Sequence, residues 1–356
     1  MIDAPTASAP RAGARSLLGR MASVPGLLGA AIRLSDRLTL ARRSDGRVGF
    51  PWIRPARERS YQIVVFHRVN DEGDPHFAGV PVETFREQAD LFARHWTIRP
   101  LRELVESAER GSLPPRAAAI TFDDGYRDNY RHAFPILAER RLAATVFLAT
   151  GAIETGRPLW HDRIFDAFGR TRAPRLRWSG LDLPMETPDS KRRALHALLR
   201  ALRAMTPAER DASIPGVLAS LDLEENPALA DRMLTWDQIR EMKAGGIDFG
   251  AHTVSHPILT RMPLDAAMRE ILESRREIEA RTGEPVDLFA YPNGTESDFD
   301  RPIQEGLRAA GFRAAVTTVW GTNVAATDRF ALRRVGPWGS DPRTAALRLG
   351  WYRVAG

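Results

Sequence analysis

Cysteine is missing from all 356 residues. No disulfide can brace the fold and no thiolate can hold a metal, so any ion must rest on His, Asp or Glu. The absence leaves the compartment open. Long apolar runs are missing too: none reaches the roughly 18–20 residues that a membrane span needs. Lysine is absent from residues 1–60, where 11 Arg against 4 acids give that stretch alone a charge of +7, while the whole chain carries +6. The rest of the chain is therefore near neutral. That distribution does not suggest a basic catalytic groove for nucleic acid, and no nucleic-acid partner is expected.

The basic excess defines an N-terminal arm, residues 1–60. Val24 to Ile32 is apolar but too short to span a bilayer, and Arg33 and Arg37 follow it without a clean small-residue cleavage site, so a cleaved signal peptide is not expected. Leu17, Met21, Leu28 and Ile32 recur at roughly helical spacing with Arg between them, interrupted by Pro25. Such a segment can lie on an anionic membrane surface, or pack as a plain helix. The expected location is cytoplasmic or peripheral at the membrane surface, with export open.

Beyond the arm, short apolar runs read as buried strands: Ile63–Phe66, Ala117–Phe122, Ala144–Leu148, Ile247–Gly250, Leu288–Tyr291, Ala314–Thr317 and Phe330–Val335. Helical patterns separate them. Phe85, Ala89 and Phe92 share one face. Leu264 to Arg281 carries Met268, Ile271, Leu272 and Ile278 on its apolar side and stops at Gly283. Pro302–Ala310 is a third helix. Strands alternating with helices predict an α/β fold with a parallel sheet, open or closed into a barrel. Residues 152–232 break the rhythm. With a charged helix at Lys191–Met205 and a helix start at Thr206-Pro207, they read as a mostly helical insertion in a domain spanning 61–345.

Chemistry-bearing residues follow the apolar runs. His67 ends the first. Asp123-Asp124-Gly125 ends the second. His252 and His256 follow a third, and Pro292-Asn293-Gly294 a fourth. In a parallel barrel the carboxyl ends of the strands share one face, so these groups would meet at one mouth. Adjacent acids diverge at a strand end, so one can bind a cation while the other accepts a proton. An isolated Asp-Asp-Gly is more often a solvated turn. Histidines four apart can chelate one ion from one side of a helical turn, although Pro257 disfavours helix at His256. Two His and one Asp leave open metal positions, a catalytic arrangement that can activate water, and one also found in non-haem iron oxygenases.

Thr121-Phe122-Asp123-Asp124-Gly125, His252-Thr253-Val254-Ser255-His256 and Phe289-Ala290-Tyr291-Pro292-Asn293-Gly294 together resemble, in order, three motifs of the polysaccharide deacetylases (NodB-homology, carbohydrate esterase family 4). The resemblance covers roughly Tyr61 to Val335. It implies a distorted (β/α) barrel of about seven parallel strands. It also implies a hydrolase that removes N-acetyl groups from an amino-sugar-containing saccharide. Asp123 would be the general base. Asp124, His252 and His256 would hold a divalent metal, usually Zn2+, with Co2+ or Ni2+ sometimes accepted. Asn293 would offer its backbone N–H to the oxyanion.

Some features depart from the family pattern. Ala290 stands where the third motif often carries an Arg that orients the base; Arg333 or Arg334 could supply that charge from another strand end, and Arg334 is also a candidate substrate contact. No histidine follows His256, so the family's general-acid histidine in a fifth motif has no match. His67, in Phe66-His67-Arg68-Val69, resembles instead the N-terminal pattern of the poly-N-acetylglucosamine deacetylase branch, where that histidine is taken as the acid; His161 is second choice. Asp124 and His252 stand 128 positions apart, and the insertion accounts for the length. Trp160-His161-Asp162 at its start is expected to line the substrate mouth with Tyr291 and Pro292. Trp236, Trp320 and Trp338 could stack on sugars or pack in the core. The rival readings are a non-catalytic saccharide-binding relative and, with less support, an iron oxygenase.

Overall fold

The computed structural model describes residues 60–336. The basic arm and its membrane-surface reading, together with Trp338, lie outside them. Ten strands and nine α-helices are formed among the described residues. The strands are β1 (Tyr61–Phe66), β2 (Thr97–Ile98), β3 (Ala117–Phe122), β4 (Ala144–Leu148), β5 (Arg175–Trp178), β6 (Leu181–Pro184), β7 (Ile247–Ala251), β8 (Leu288–Ala290), β9 (Ala314–Trp320) and β10 (Leu332–Arg334). The helices are α1 (Val82–His95), α2 (Leu101–Glu109), α3 (Phe134–Glu139), α4 (Trp160–Arg170), α5 (Pro188–Arg203), α6 (Pro207–Ser220), α7 (Trp236–Ala244), α8 (Leu264–Thr282) and α9 (Arg301–Ala309).

The main sheet runs β1-β3-β4-β7-β8-β9-β10, all parallel, with the two-residue β2 added beside β3. Past the end of β10, Val335 pairs in parallel with Val64 of β1, donating to the Ile63 carbonyl at 2.8 Å and accepting from Val65 N–H at 3.0 Å. The sheet thus curls into a nearly closed barrel of seven parallel strands wrapped by helices, the closed form that the family resemblance implies and that the strand–helix alternation left open.

Continuous apolar runs form these strands because both faces are covered. Every residue of β1, β3 and β4 is buried. Alternate residues go to different cores. Ile63, Ala117, Ala119, Phe147, Ala290 and Leu332 meet inside the barrel, while Val64, Ile120, Phe122 and Val146 pack under the helices. Gly250 of β7 makes room for the large interior ring: a Cβ there would lie 2.5 Å from Phe147. Phe85, Ala89 and Phe92 are buried on α1, and α8 ends at Gly283 in the left-handed conformation (φ 72°), both as read from the sequence.

The segment 152–232 contains α4, α5 and α6 around a core of its own, in which Ile164, Phe168, Leu198, Leu202, Ile214 and Val217 are fully buried. Thr206 caps α6 in a reciprocal box with Glu209. The segment is mostly helical, as read, and adds an antiparallel hairpin of β5 and β6 that the sequence reading did not give. Its loop is Ser179-Gly180, both with positive φ (46° and 81°), the two-residue turn that matches strand twist. Among the described residues no helix is long and apolar enough to cross a membrane.

Candidate metal centre and active site

The carboxyl ends of β1, β3, β7 and β10 deliver the polar residues of the site, and the backbone turns sharply to present them. Of the nine non-glycine residues with positive φ among the described residues, four are Asp124, Thr253, His256 and Asn293. Each such residue costs about 1–3 kcal/mol and persists only where its surroundings hold it. Asp124 (φ 74°) and Gly125 (φ 86°) make consecutive left-handed steps, which send the two acids of the Asp-Asp pair to different partners.

Asp124 faces the histidines. Its Oδ1 lies 3.4 Å from His252 Nε2 and 3.3 Å from His256 Nε2. All three residues are at most 5% exposed. Asp124 Oδ1 is buried without a hydrogen-bond partner. An unpaired buried carboxylate oxygen between two imidazole nitrogens is costly by itself. The separations match the edge of a tetrahedron with bonds of about 2.0–2.1 Å, an edge of about 3.3 Å. The three residues therefore fit a divalent cation. His252 Nδ1–H donates to the Ala290 carbonyl at 2.7 Å, which leaves Nε2 free to ligate. Burial opposes the charged form of Asp124, but the histidines, His252 first, hold its carboxyl well below the usual range.

No helical turn brings His252 and His256 together; that expectation is corrected. The chain runs through a loop in which Thr253 (φ 69°) and His256 (φ 54°) are left-handed. Pro257 rules out a continued helix, and backbone reversal at two positions does the converging.

Asp123 turns the other way. Arg334, 1% exposed on β10, donates to both of its oxygens at 2.8 and 2.7 Å. Burial raises the carboxyl, yet Arg334 outweighs it and keeps Asp123 below its ordinary value. Arg334 also donates to the Thr317 carbonyl at 2.6 Å. Arg334 thus orients the acid, and the alternative expectation that it contacts substrate is corrected: its guanidinium is sealed in. Arg333 points to the exposed side. His67 Nε2 lies 3.9 Å from Asp123 Oδ2 with its side chain 27% exposed, the most open of the candidate groups measured against Asp123 and Asp124. Asn293 (φ 58°) closes the turn after β8, and its carbonyl accepts from Thr318 Oγ1 at 2.6 Å.

Other expected substrate contacts sit elsewhere. Tyr291 is fully buried, its hydroxyl donating to the Phe330 carbonyl at 2.9 Å and its ring stacked on Phe299. It is a core residue, and Pro292 beside it is buried too. Trp160 is 4% exposed; its indole N–H donates to the His256 carbonyl at 3.3 Å, and Arg210 lies over its ring at 4.6 Å. It braces the metal-site loop instead of lining a mouth. Trp236 is buried on α7.

His161 does reach the centre. Its Nε2 is 4.0 Å from Asp124 Oδ2, and its ring centroid is 5.0 Å from that of His256. Tyr126 Oη lies 3.1 Å from His161 Nε2 and donates to Asp162 Oδ1 at 3.1 Å. With its one proton committed to Asp162, the Tyr126 oxygen accepts from His161 Nε2–H. Sequence reading missed Tyr126, which has no pattern of its own, and placed Asp162 at the mouth with Trp160 and His161, whereas it is buried and meets His161 through Tyr126.

Comparison with known proteins agrees with this geometry. A family model described as polysaccharide deacetylase matches residues 110–315. The poly-beta-1,6-N-acetyl-D-glucosamine N-deacetylase of Staphylococcus epidermidis is 28% identical over 160 residues, 42% of this chain and 52% of that one, so the match spans about half of that enzyme. Among solved structures, the Streptococcus pyogenes deacetylase PplD in complex with acetate superposes with a TM-score of 0.55 at 19% identity, covering 81% of this chain and 96% of that one. IcaB from Ammonifex degensii gives 0.54 at 19%, covering 82% and 97%. The two structures share the fold, and the family match takes in Asp123, Asp124, His252, His256 and the turn at Asn293: the chain belongs to the polysaccharide deacetylase family.

Proposed function

We propose that the protein is a metal-dependent N-deacetylase of an amino-sugar-containing oligo- or polysaccharide, with Zn2+ as the working ion. The observation that carries this reading is the division of labour between adjacent acids. Asp124 is committed to two histidines and Asp123 to Arg334, each buried and each held as a carboxylate. The Staphylococcus epidermidis relative, by its name an N-deacetylase of poly-N-acetylglucosamine, supports the amino-sugar class.

Asp124, His252 and His256 would hold a divalent ion, which when bound would acidify water and polarise the acyl oxygen. The chain's own residues carry the protons. Asp123, fixed by Arg334, accepts a proton from the attacking water. The Asn293 N–H stabilises the oxyanion that forms as water adds to the acetamide carbon; one such donor is worth about 3–4 kcal/mol. An amide nitrogen leaves poorly as an anion, so His67, exposed beside Asp123, protonates it as the C–N bond breaks to acetate and free amine. His161, tied through Tyr126 to Asp162 and 4.0 Å from Asp124, is assigned the substrate contact on that side.

A non-catalytic relative would have no use for a base pinned by a buried arginine. An iron oxygenase reading rests on the ligand set alone, and the parallel barrel and the family match both speak against it. The test is acetate release from N-acetylated oligosaccharides, with and without chelator. Chelator-sensitive release that disappears in Asp123→Asn supports the proposal; full release in that variant refutes the assigned base.

A further inference from the structure

The loop that carries both histidines is held through most of its backbone groups, and one side chain supplies more of these bonds than any other. His252 N–H donates to the Leu148 carbonyl (3.0 Å), and the Thr253 and Val254 carbonyls accept from Thr150 and Gly151 N–H (3.1 and 2.8 Å). His256 N–H donates to Thr253 Oγ1 (3.1 Å), and its carbonyl accepts from the Trp160 indole (3.3 Å). At the crest of the loop stand the N–H groups of Val254 and Ser255. Both donate to Glu270 Oε2, at 2.9 and 2.8 Å, while the Ser255 hydroxyl donates to Glu270 Oε1 at 2.8 Å.

We infer that Glu270, on α8, is the positioning residue of the metal centre. Its carboxylate bonds Val254 and Ser255, between the two histidines, and acts through the loop. It fixes the two left-handed steps, Thr253 and His256, between which its three hydrogen bonds fall, and thereby the direction of the His256 imidazole. Partners behind a ligand govern affinity in this way because a ligand that must be ordered on binding costs conformational entropy that a prearranged one does not. Gly151 belongs to the same clamp from the opposite side: a Cβ there would lie 2.7 Å from the Val254 carbonyl oxygen.

The inference rests on the metal reading above, and zinc titration of the full chain by calorimetry tests the two separately. Wild type should bind one Zn2+ and Asp124→Ala none; a wild type that binds no zinc overturns the metal reading itself. With wild-type binding established, Glu270→Ala and Glu270→Asp, the latter one methylene too short to reach the crest, should each weaken zinc about 10–100-fold. Glu270→Gln keeps an oxygen for the two N–H groups and should stay within about threefold of wild type, a rescue that loss of general stability would not show. Circular dichroism of the metal-free proteins identifies which variants fold. Wild-type zinc affinity in whichever of Glu270→Ala and Glu270→Asp folds overturns the assignment, as does a loss in Glu270→Gln equal to that in Glu270→Ala.

Discussion

At the scale of single residues, the pairing of Asp123 with Arg334 makes the sharpest demands. Both are nearly inaccessible, so removing one leaves the other as an uncompensated buried charge. Arg334→Ala should cost about 3–5 kcal/mol in denaturant unfolding. Asp123→Asn should cut acetate release about 10²–10⁴-fold, the range of general base catalysis, with zinc stoichiometry unchanged. His67→Ala should lower turnover similarly and also retain the ion; a loss of zinc would mean that His67 had been given the wrong role. The pH dependence has a definite sign. Arg334 lowers the folded pKa of Asp123, so the stabilisation is present above the unfolded value of about 3.9 and is lost as pH falls through the lower folded value. Acid unfolding of wild type should therefore be steeper than that of Asp123→Asn. These residues were legible as chemistry in the chain because short motifs keep them together. Arg334 was legible only as a cation at a strand end, and its partner is 211 positions away.

At the scale of elements, strands and helices were readable wherever burial imposes a period. β1, β3 and β4 are mostly apolar and buried along their whole length, and α1 repeats its buried face at Phe85, Ala89 and Phe92. The hairpin of β5 and β6 escaped because most of its residues are only partly buried or exposed, which leaves little apolar alternation to read. The histidine loop escaped for a different reason. Four-residue spacing suits a helix, and only Pro257 hinted that a loop brings the imidazoles together. Trp160 escaped because an aromatic at an insertion's start looks like a sugar platform until its indole is seen to bond the His256 carbonyl. Trp160→Phe should leave that buried carbonyl without its donor at a cost of about 1–3 kcal/mol, measured by thermal unfolding, with the core of the insertion intact.

At the scale of the whole molecule, the barrel acts as a device for convergence. Parallel strands point their carboxyl ends the same way, so groups from β1, β3, β7 and β10 gather without any one loop having to be long. The closure of β10 onto β1 matters most, since it places Arg334 against Asp123. The segment around α4–α6 leans on the centre through Trp160 and His161. If the centre holds a metal, saturating zinc should stabilise the fold by mass action, about 2.7 kcal/mol at a hundredfold excess over Kd, and chelator should lower Tm. Asp124→Ala should show neither effect.

The sequence by itself determined which residues could do chemistry and that a parallel α/β sheet would carry them, because motif chemistry and the periodicity of burial are local properties; the closure into a barrel was only implied by the family resemblance. Only the tertiary structure decided which acid takes the arginine, which carbonyl fixes His252, and which of the aromatics stand in the core. Those choices are made by contacts between positions remote in the chain, and no local pattern encodes the distance between them.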